Sequence, residues 1–422
     1  MIEFFEPGKV SVCLDSAAGS SGKGSISPFM AITGKPILGA VCTSNQTNAG
    51  HQTVLSKSEY TGNVIEPCDC FKIEDDDHYR IILKSLPSSA LVTEQIPICI
   101  MADAAFTIDR LLQEISLIKD KSRIKIHPRA CVVTKECKER SAKNEHVSGT
   151  MSGAGPAQAK KLMRDADCKL AKDYPEIAEF IADPCDSVQQ ALLGGKAVLF
   201  ESSQGFELSL NHGFPDDWPK LTSRDVTPAI AMNSCGVSPK RFGKSMANIR
   251  PFPIRVGNYN GNSSGSFYNS KELTWDIIDR FSGAAEAGKS TLEITTVTGR
   301  VRRCFTFSLE QFIRMCRYCE PDYLALTFTS QIDYRSFGAK KLSDIPEEAL
   351  IKIAEFVAML EFHSGVKVAI LGTGPKNDEQ LDVLEDERFQ QLVSEAKKNG
   401  RHELILVEID RKIAELEKTS DK

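Results

Sequence analysis

Gly19-Ser20-Ser21-Gly22-Lys23-Gly24 follows directly on the apolar run Val10-Ser11-Val12-Cys13-Leu14 and leads into Ser25 to Ile32, which reads as a helix. A strand that ends in a glycine-rich turn with a lysine and then opens a helix is suited to holding phosphate. Glycines let backbone N–H groups approach the anion, the helix N-terminus offers partial positive charge, and the lysine adds a full one. The stretch departs from the Walker pattern, since Ala17 stands where its first glycine belongs and Gly24 where Ser or Thr would follow the lysine. Taken alone, it fits either a phosphate cradle or an ordinary tight turn.

Working outward, apolar runs at Val10–Leu14, Ile37–Cys42, Ile98–Met101, Arg123–Ile126, Ala197–Phe200, Tyr323–Phe328 and Val366–Leu371 read as buried strands. Helical spacing appears in Ala105–Ile118, Asp183–Leu193, Leu309–Cys319 and Glu347–Leu360. Strands alternating with helices predict an α/β fold with a large, mostly parallel central sheet covered by helices. Gly257 to Tyr268, rich in Gly, Asn and Ser, reads as a mobile loop, either a surface excursion or a substrate lid. Near the end, Glu385–Lys398 reads as a helix, His402–Val407 as a strand and Ile409–Lys418 as a further helix.

The 422 residues are 41% hydrophobic, enough for a large core, and the net charge of −5 argues against nucleic acid as a partner. No window is apolar enough to span a bilayer, and Met1-Ile2-Glu3-Phe4-Phe5-Glu6 lacks the features of a signal peptide, so a cytoplasmic location is expected. Thirteen scattered cysteines read as free thiols. Cys316 and Cys319 have C-x-x-C spacing, yet no second pair completes a zinc set.

Further motifs follow in order: Asn48-Ala49-Gly50-His51, Ser148-Gly149-Thr150, Glu201-Ser202-Ser203-Gln204-Gly205, Thr222-Ser223-Arg224-Asp225, Ile254-Arg255-Val256-Gly257-Asn258, Thr298-Gly299-Arg300-Val301-Arg302-Arg303 and Gly372-Thr373-Gly374-Pro375. With the glycine-rich turn, this series resembles the adenylosuccinate synthetase family from about Val10 to Pro375. Such a resemblance implies a P-loop-NTPase-related α/β fold with long active-site loops. Residues 1–380 are then expected to form one catalytic domain and 381–422 a C-terminal α/β extension.

The family's reaction moves a nucleotide γ-phosphoryl group to O6 of a purine, and the amine of aspartate then displaces phosphate at C6. On this resemblance Ser20, Lys23, His51 and Gln204 are the catalytic candidates. Asn48, Thr150, Arg164, Gln204, Thr222, Val256 and Gly257 would hold the purine nucleotide with Ser20, Arg164 reaching across a homodimer. Thr298, Arg300 and Arg302 would hold aspartate, whose carboxylates suit bidentate capture by guanidinium. The phosphoryl donor would meet Ser21, Gly22, Lys23, Gly24, Gly50, His51, Gln52, Thr53, Arg302, Ser330, Gly372, Gly374 and Pro375. The family has Thr directly after its histidine; here Gln52 stands there and Thr53 follows. Mg²⁺ would be held by the Gly50 carbonyl and Ser20.

Two departures refine the expectation. Ser20 occupies the position of the family's catalytic aspartate, a change that resembles the phage-type branch acting on dGMP. A serine hydroxyl is too weak a base to take the N1 proton unaided, so another group, such as the aspartate substrate's carboxylate, must do so. Ser330 stands where the family carries a guanine-reading aspartate, which favours ATP or dATP over GTP. The expected activity is therefore ligation of aspartate to dGMP with an adenine nucleotide. The alternatives are synthesis from IMP or dIMP and a non-catalytic nucleotide-binding regulator.

Overall fold

The computed structural model describes residues 3–143, 149–295 and 298–420; Ser148 of the motifs above lies outside the described residues. Nine strands form the main sheet: β1 (Val10–Asp15), β2 (Leu38–Thr43), β3 (Ile98–Ile100), β4 (Ile124–Ile126), β5 (Ala197–Gly205), β6 (Phe242–Ile249), β7 (Tyr323–Leu326), β8 (Lys367–Gly372) and β9 (Gln380–Asp382). Their spatial order is β9-β8-β7-β6-β1-β5-β2-β3-β4. Every pairing is parallel except β8 with β9.

Alternate residues of the strands feed two apolar layers. Val10, Val12 and Leu14 enter one core, and Cys13 enters the other. Burial on both faces explains why the strands read as continuous apolar runs rather than alternating ones. Each of the seven strands read from the sequence is present, with ends shifted by a few residues. Sequence-distant segments meet at the carboxyl ends of the central strands, where open parallel sheets place their ligands. Among the described residues, no helix is long and apolar enough to cross a membrane.

Two readings are corrected. Ala105–Phe106 is a short strand paired with Cys131–Val132, and the helix expected from Ala105 begins only at Ile108. His402–Val407 is not a strand: one helix runs from Arg401 to Ser420. Its buried positions, His402, Ile405, Ile409 and Ile413, recur every three or four residues, whereas Leu404 and Val407 are exposed. Helical periodicity across the whole segment overrides the local apolar run. This helix and Glu387–Lys398 pack on Glu347–Ser364.

Candidate active site

The glycine-rich turn leaves β1 beneath a helix that begins at Lys23, behind Gly22 with φ +91°. A Cβ on Gly22 would meet Thr327 at 2.8 Å, and one on Gly24 would lie 2.1 Å from the Gln52 carbonyl. Both glycines are therefore demanded by close approach. Ser20 and Gln204 both adopt left-handed backbone conformations, at φ +57° and +68°. Such strain in non-glycine residues concentrates at functional sites. Ser20 is exposed, whereas Ser21, Lys23 and Gly24 are buried.

His51 begins the strand His51–Ser56 and is buried. Its Nδ1 lies 2.5 Å from Oε1 of Glu201, a wholly buried carboxylate on β5. Glu201 also accepts the Ser88 N–H at 2.9 Å and its hydroxyl at 2.6 Å. Burial pushes the Glu201 pKa up, but the His51 hydrogen bond and charge, together with the Ser27 and Ser88 hydroxyls, outweigh it, holding the carboxyl below the usual glutamate value. Ionised Glu201 holds the His51 ring through Nδ1, on the side away from Nε2. Along the strand, Thr53 shares the His51 face and is buried, and Gln52 lies on the other.

Asn48 Nδ2 donates to the Thr222 hydroxyl at 3.4 Å, joining two of the purine-site candidates. Arg224 anchors this segment through Ser44 Oγ at 2.6 Å and Ser203 Oγ at 3.0 Å. Arg300 donates to the Gly257 carbonyl at 2.7 Å and the Gly149 carbonyl at 2.6 Å, bringing the arginine segment against Val256-Gly257 and the chain beside Thr150. Thr298 bonds to the hydroxyl of Thr295. The loop after Gly257 is polar but tied down: Ser264 bonds to Val256 and Asn258, and Arg303 to Ser264.

Arg302 donates to Glu293 at 2.8 Å, and Glu293 also pairs with Arg250. Arg250 is almost wholly buried, stacks over Phe328 at 4.0 Å and donates to the Ser20 carbonyl at 3.0 Å. The glycine-rich turn, the Phe328–Ser330 segment and the arginine segment therefore share one buried guanidinium. Ser330 is buried in a single 3₁₀ turn, beside Thr329, whose hydroxyl donates to the Gly372 carbonyl at 3.3 Å. Ser25 Oγ donates to the Pro375 carbonyl at 3.2 Å, and Gln380 donates to the Gly374 carbonyl at 2.9 Å. The Gly372–Pro375 turn thus abuts the start of the lysine-bearing helix. Arg164 joins none of these bonds and lies exposed at the end of the helix Ala154–Met163.

Ser21 Oγ, Thr53 Oγ1 and Asn48 Oδ1 are buried without hydrogen-bond partners. Leaving such oxygens unpaired is costly, and these three share the property with other buried atoms outside the turn, such as Ser89 Oγ and Asn377 Oδ1, so on its own it assigns none of them a ligand. Among the described residues there is no cluster of three or more His, Cys, Asp or Glu able to hold a metal ion. The Ser20 hydroxyl and Gly50 carbonyl are hard oxygens that fit Mg²⁺ bound chiefly through water and substrate phosphates. Spacing gave no signal for Asp15, Glu201, Arg250 and Glu293, which sequence reasoning did not assign to the site.

Comparison with known proteins bears on this constellation. Residues 168–336 match the sequence profile of adenylosuccinate synthetase. The N6-succino-2-amino-2'-deoxyadenylate synthase of Vibrio phage phiVC8 is 29% identical over 384 residues, 88% of this chain and 98% of that protein. The solved succinoaminodeoxyadenylate synthetase of cyanophage S-2L, bound to dGMP and dATP, superposes with a TM-score of 0.69 at 24% identity, covering 92% of this chain and 99% of that one. An adenylosuccinate synthetase from Methanocaldococcus jannaschii is 31% identical over 280 residues, 65% of this chain and 74% of that protein. With that relationship and this fold, the chain belongs to the adenylosuccinate synthetase family of C–N bond-forming ligases.

Proposed function

We propose that this ligase joins L-aspartate to C6 of dGMP, with ATP or dATP as phosphoryl donor, giving 2-amino-2'-deoxyadenylosuccinate. The observation that carries the reading is Ser20, a small exposed hydroxyl at the turn where a carboxylate would crowd the 2-amino edge of guanine. Likeness to two phage enzymes, one bound to dGMP and dATP, supports it. Buried Ser330, with no carboxylate to pair with guanine N–H groups, supports an adenine donor.

Lys23 steadies the transferring phosphoryl group, and His51, oriented by Glu201, donates from Nε2 to the bridging oxygen. Mg²⁺, held by the Gly50 carbonyl and Ser20, would supply charge neutralisation at the donor phosphates when bound. Thr53, on the His51 face, meets the donor in preference to Gln52. Asn48, Thr150, Gln204, Thr222, Val256 and Gly257 enclose the purine nucleotide, and Thr298, Arg300 and Arg302 take the carboxylates of aspartate. Ser20 cannot serve as base, so the N1 proton passes to the carboxylate of the aspartate substrate. Exposed Leu162 and Met163 beside Arg164 support a homodimer in which Arg164 completes the partner's site.

Phosphate release by purified protein, with aspartate and each purine monophosphate and triphosphate in turn, tests the assignment. Faster turnover of dGMP than of IMP is expected, and Ser20→Asp should shift the ratio towards IMP. Wild-type preference for IMP would return the chain to ordinary adenylosuccinate synthesis. Phosphoryl transfer to dGMP without aspartate would overturn the assignment of the proton to the substrate carboxylate.

A further inference from the structure

Asp15 is the last residue of β1, wholly buried, and has no part in the steps above. Its Oδ2 accepts the Ser21 backbone N–H at 3.2 Å and the ammonium of Lys23. Its Oδ1 accepts Nδ2 of Asn248, its cross-strand neighbour on β6, at 3.1 Å. Lys23 Nζ donates a second bond to the Gln204 carbonyl at 2.8 Å. An ammonium has three N–H donors, so one remains for a ligand. The carboxylate cannot swing away, because it sits on a central strand between β5 and β6 with its second oxygen also bonded.

This arrangement changes the charge of the cradle. Backbone N–H groups plus one lysine would present a net positive charge to a phosphate; here Asp15 cancels it from below. Charges a few ångströms apart in a partly buried site interact several times more strongly than in water. A free polyphosphate entering the turn therefore meets a carboxylate behind Lys23, and one carrying a divalent cation brings its own compensation.

We propose that Asp15 orients Lys23 and makes the donor site select the Mg²⁺ complex of a nucleoside di- or triphosphate over the free anion. This inference rests on the reading that Gly19–Gly24 receives the donor phosphates. Asp15 itself stays out of contact with the nucleotide.

Calorimetric titration of ADP, without purine or aspartate, tests it in MgCl₂ and in EDTA. Wild-type protein should bind ADP about tenfold or more weakly in EDTA. In Asp15→Asn, which keeps the shape and loses the charge, metal-free ADP should bind about tenfold more tightly than in wild type, so the two affinities converge. Asn248→Ser keeps the carboxylate and removes one of its bonds, and it should retain the wild-type ratio. An unchanged ratio in Asp15→Asn, or an equal change in Asn248→Ser, would overturn the proposal. If Asp15→Asn does not fold, the wild type still decides, since equal affinity for ADP with and without Mg²⁺ contradicts the selection. Failure of wild type to bind ADP in either condition would remove the donor-site reading and this inference with it. Ligase activity accompanied by an unchanged ratio would remove this inference alone.

Discussion

Replacing Glu201 by glutamine isolates the electrostatic support of His51, because the amide keeps the volume of the carboxylate and loses its charge. Both oxygens of Glu201 act as acceptors: Oε1 faces His51 Nδ1 at 2.5 Å, and Oε2 takes the Ser88 N–H at 2.9 Å and the Ser88 hydroxyl at 2.6 Å. A glutamine presents only one acceptor oxygen, so its NH₂ must confront either His51 or the Ser88 N–H. A hydrogen bond to a charged group contributes about 1.5–3 kcal/mol. If that loss falls in the transition state, where His51 donates to the bridging oxygen, kcat should drop by about 10- to 100-fold. KM for the purine nucleotide should stay within about twofold, since the ring holds no ground-state contact that the change removes. Steady-state phosphate release, with each substrate varied in turn, separates the two, and urea unfolding of the variant checks its folding. Unaltered kcat, or equal losses in kcat and in substrate affinity, would refute the role given to Glu201.

Three other outcomes follow from the same geometry. Arg300→Ala and Arg302→Ala should raise KM for aspartate on the order of a hundredfold, and by more than KM for the purine nucleotide or the donor, as initial rates with each substrate varied in turn would show. Ser330→Asp should raise the use of GTP relative to ATP when the donors are compared at equal concentration. Burial raises the Glu207 pKa to about 8, so the folded state holds a proton that the unfolded state releases above the ordinary value of 4.5. Glu207 thus lowers stability progressively from about pH 5 to 8, and Glu207→Gln should flatten urea midpoints measured between pH 6 and 8.5.

The fold was legible because parallel strands buried on both faces are written as uninterrupted apolar runs. The runs beginning at Val10, Ile98 and Ala197 needed no knowledge of their neighbours. Misreadings arose where a short apolar run is ambiguous by itself. His402–Val407 looks extended until Ile409 and Ile413 are counted with Ile405 on one buried helical face. Ala105–Phe106 looks helical because the residues after it are, yet its backbone pairs with Cys131–Val132.

Site residues divide along a related line. The turn from Gly19 to Gly24 shows its glycine-rich, lysine-bearing chemistry within six consecutive positions, whereas the role expected of Ser20 came from the resemblance to the family. Glu201 and His51 are 150 positions apart, and Arg250 and Ser20 are 230 apart. Strand order alone brings such pairs together, and one sequence does not disclose it. Asp15 is the instructive case, lying only eight residues from Lys23. At the end of an apolar strand it reads as a boundary residue. Only the turn of the chain at Gly19 and Gly22, which folds Lys23 back beneath the loop, makes it a counter-charge. A motif thus reports which groups can meet a phosphate, and the fold decides how much of their charge is left to offer it.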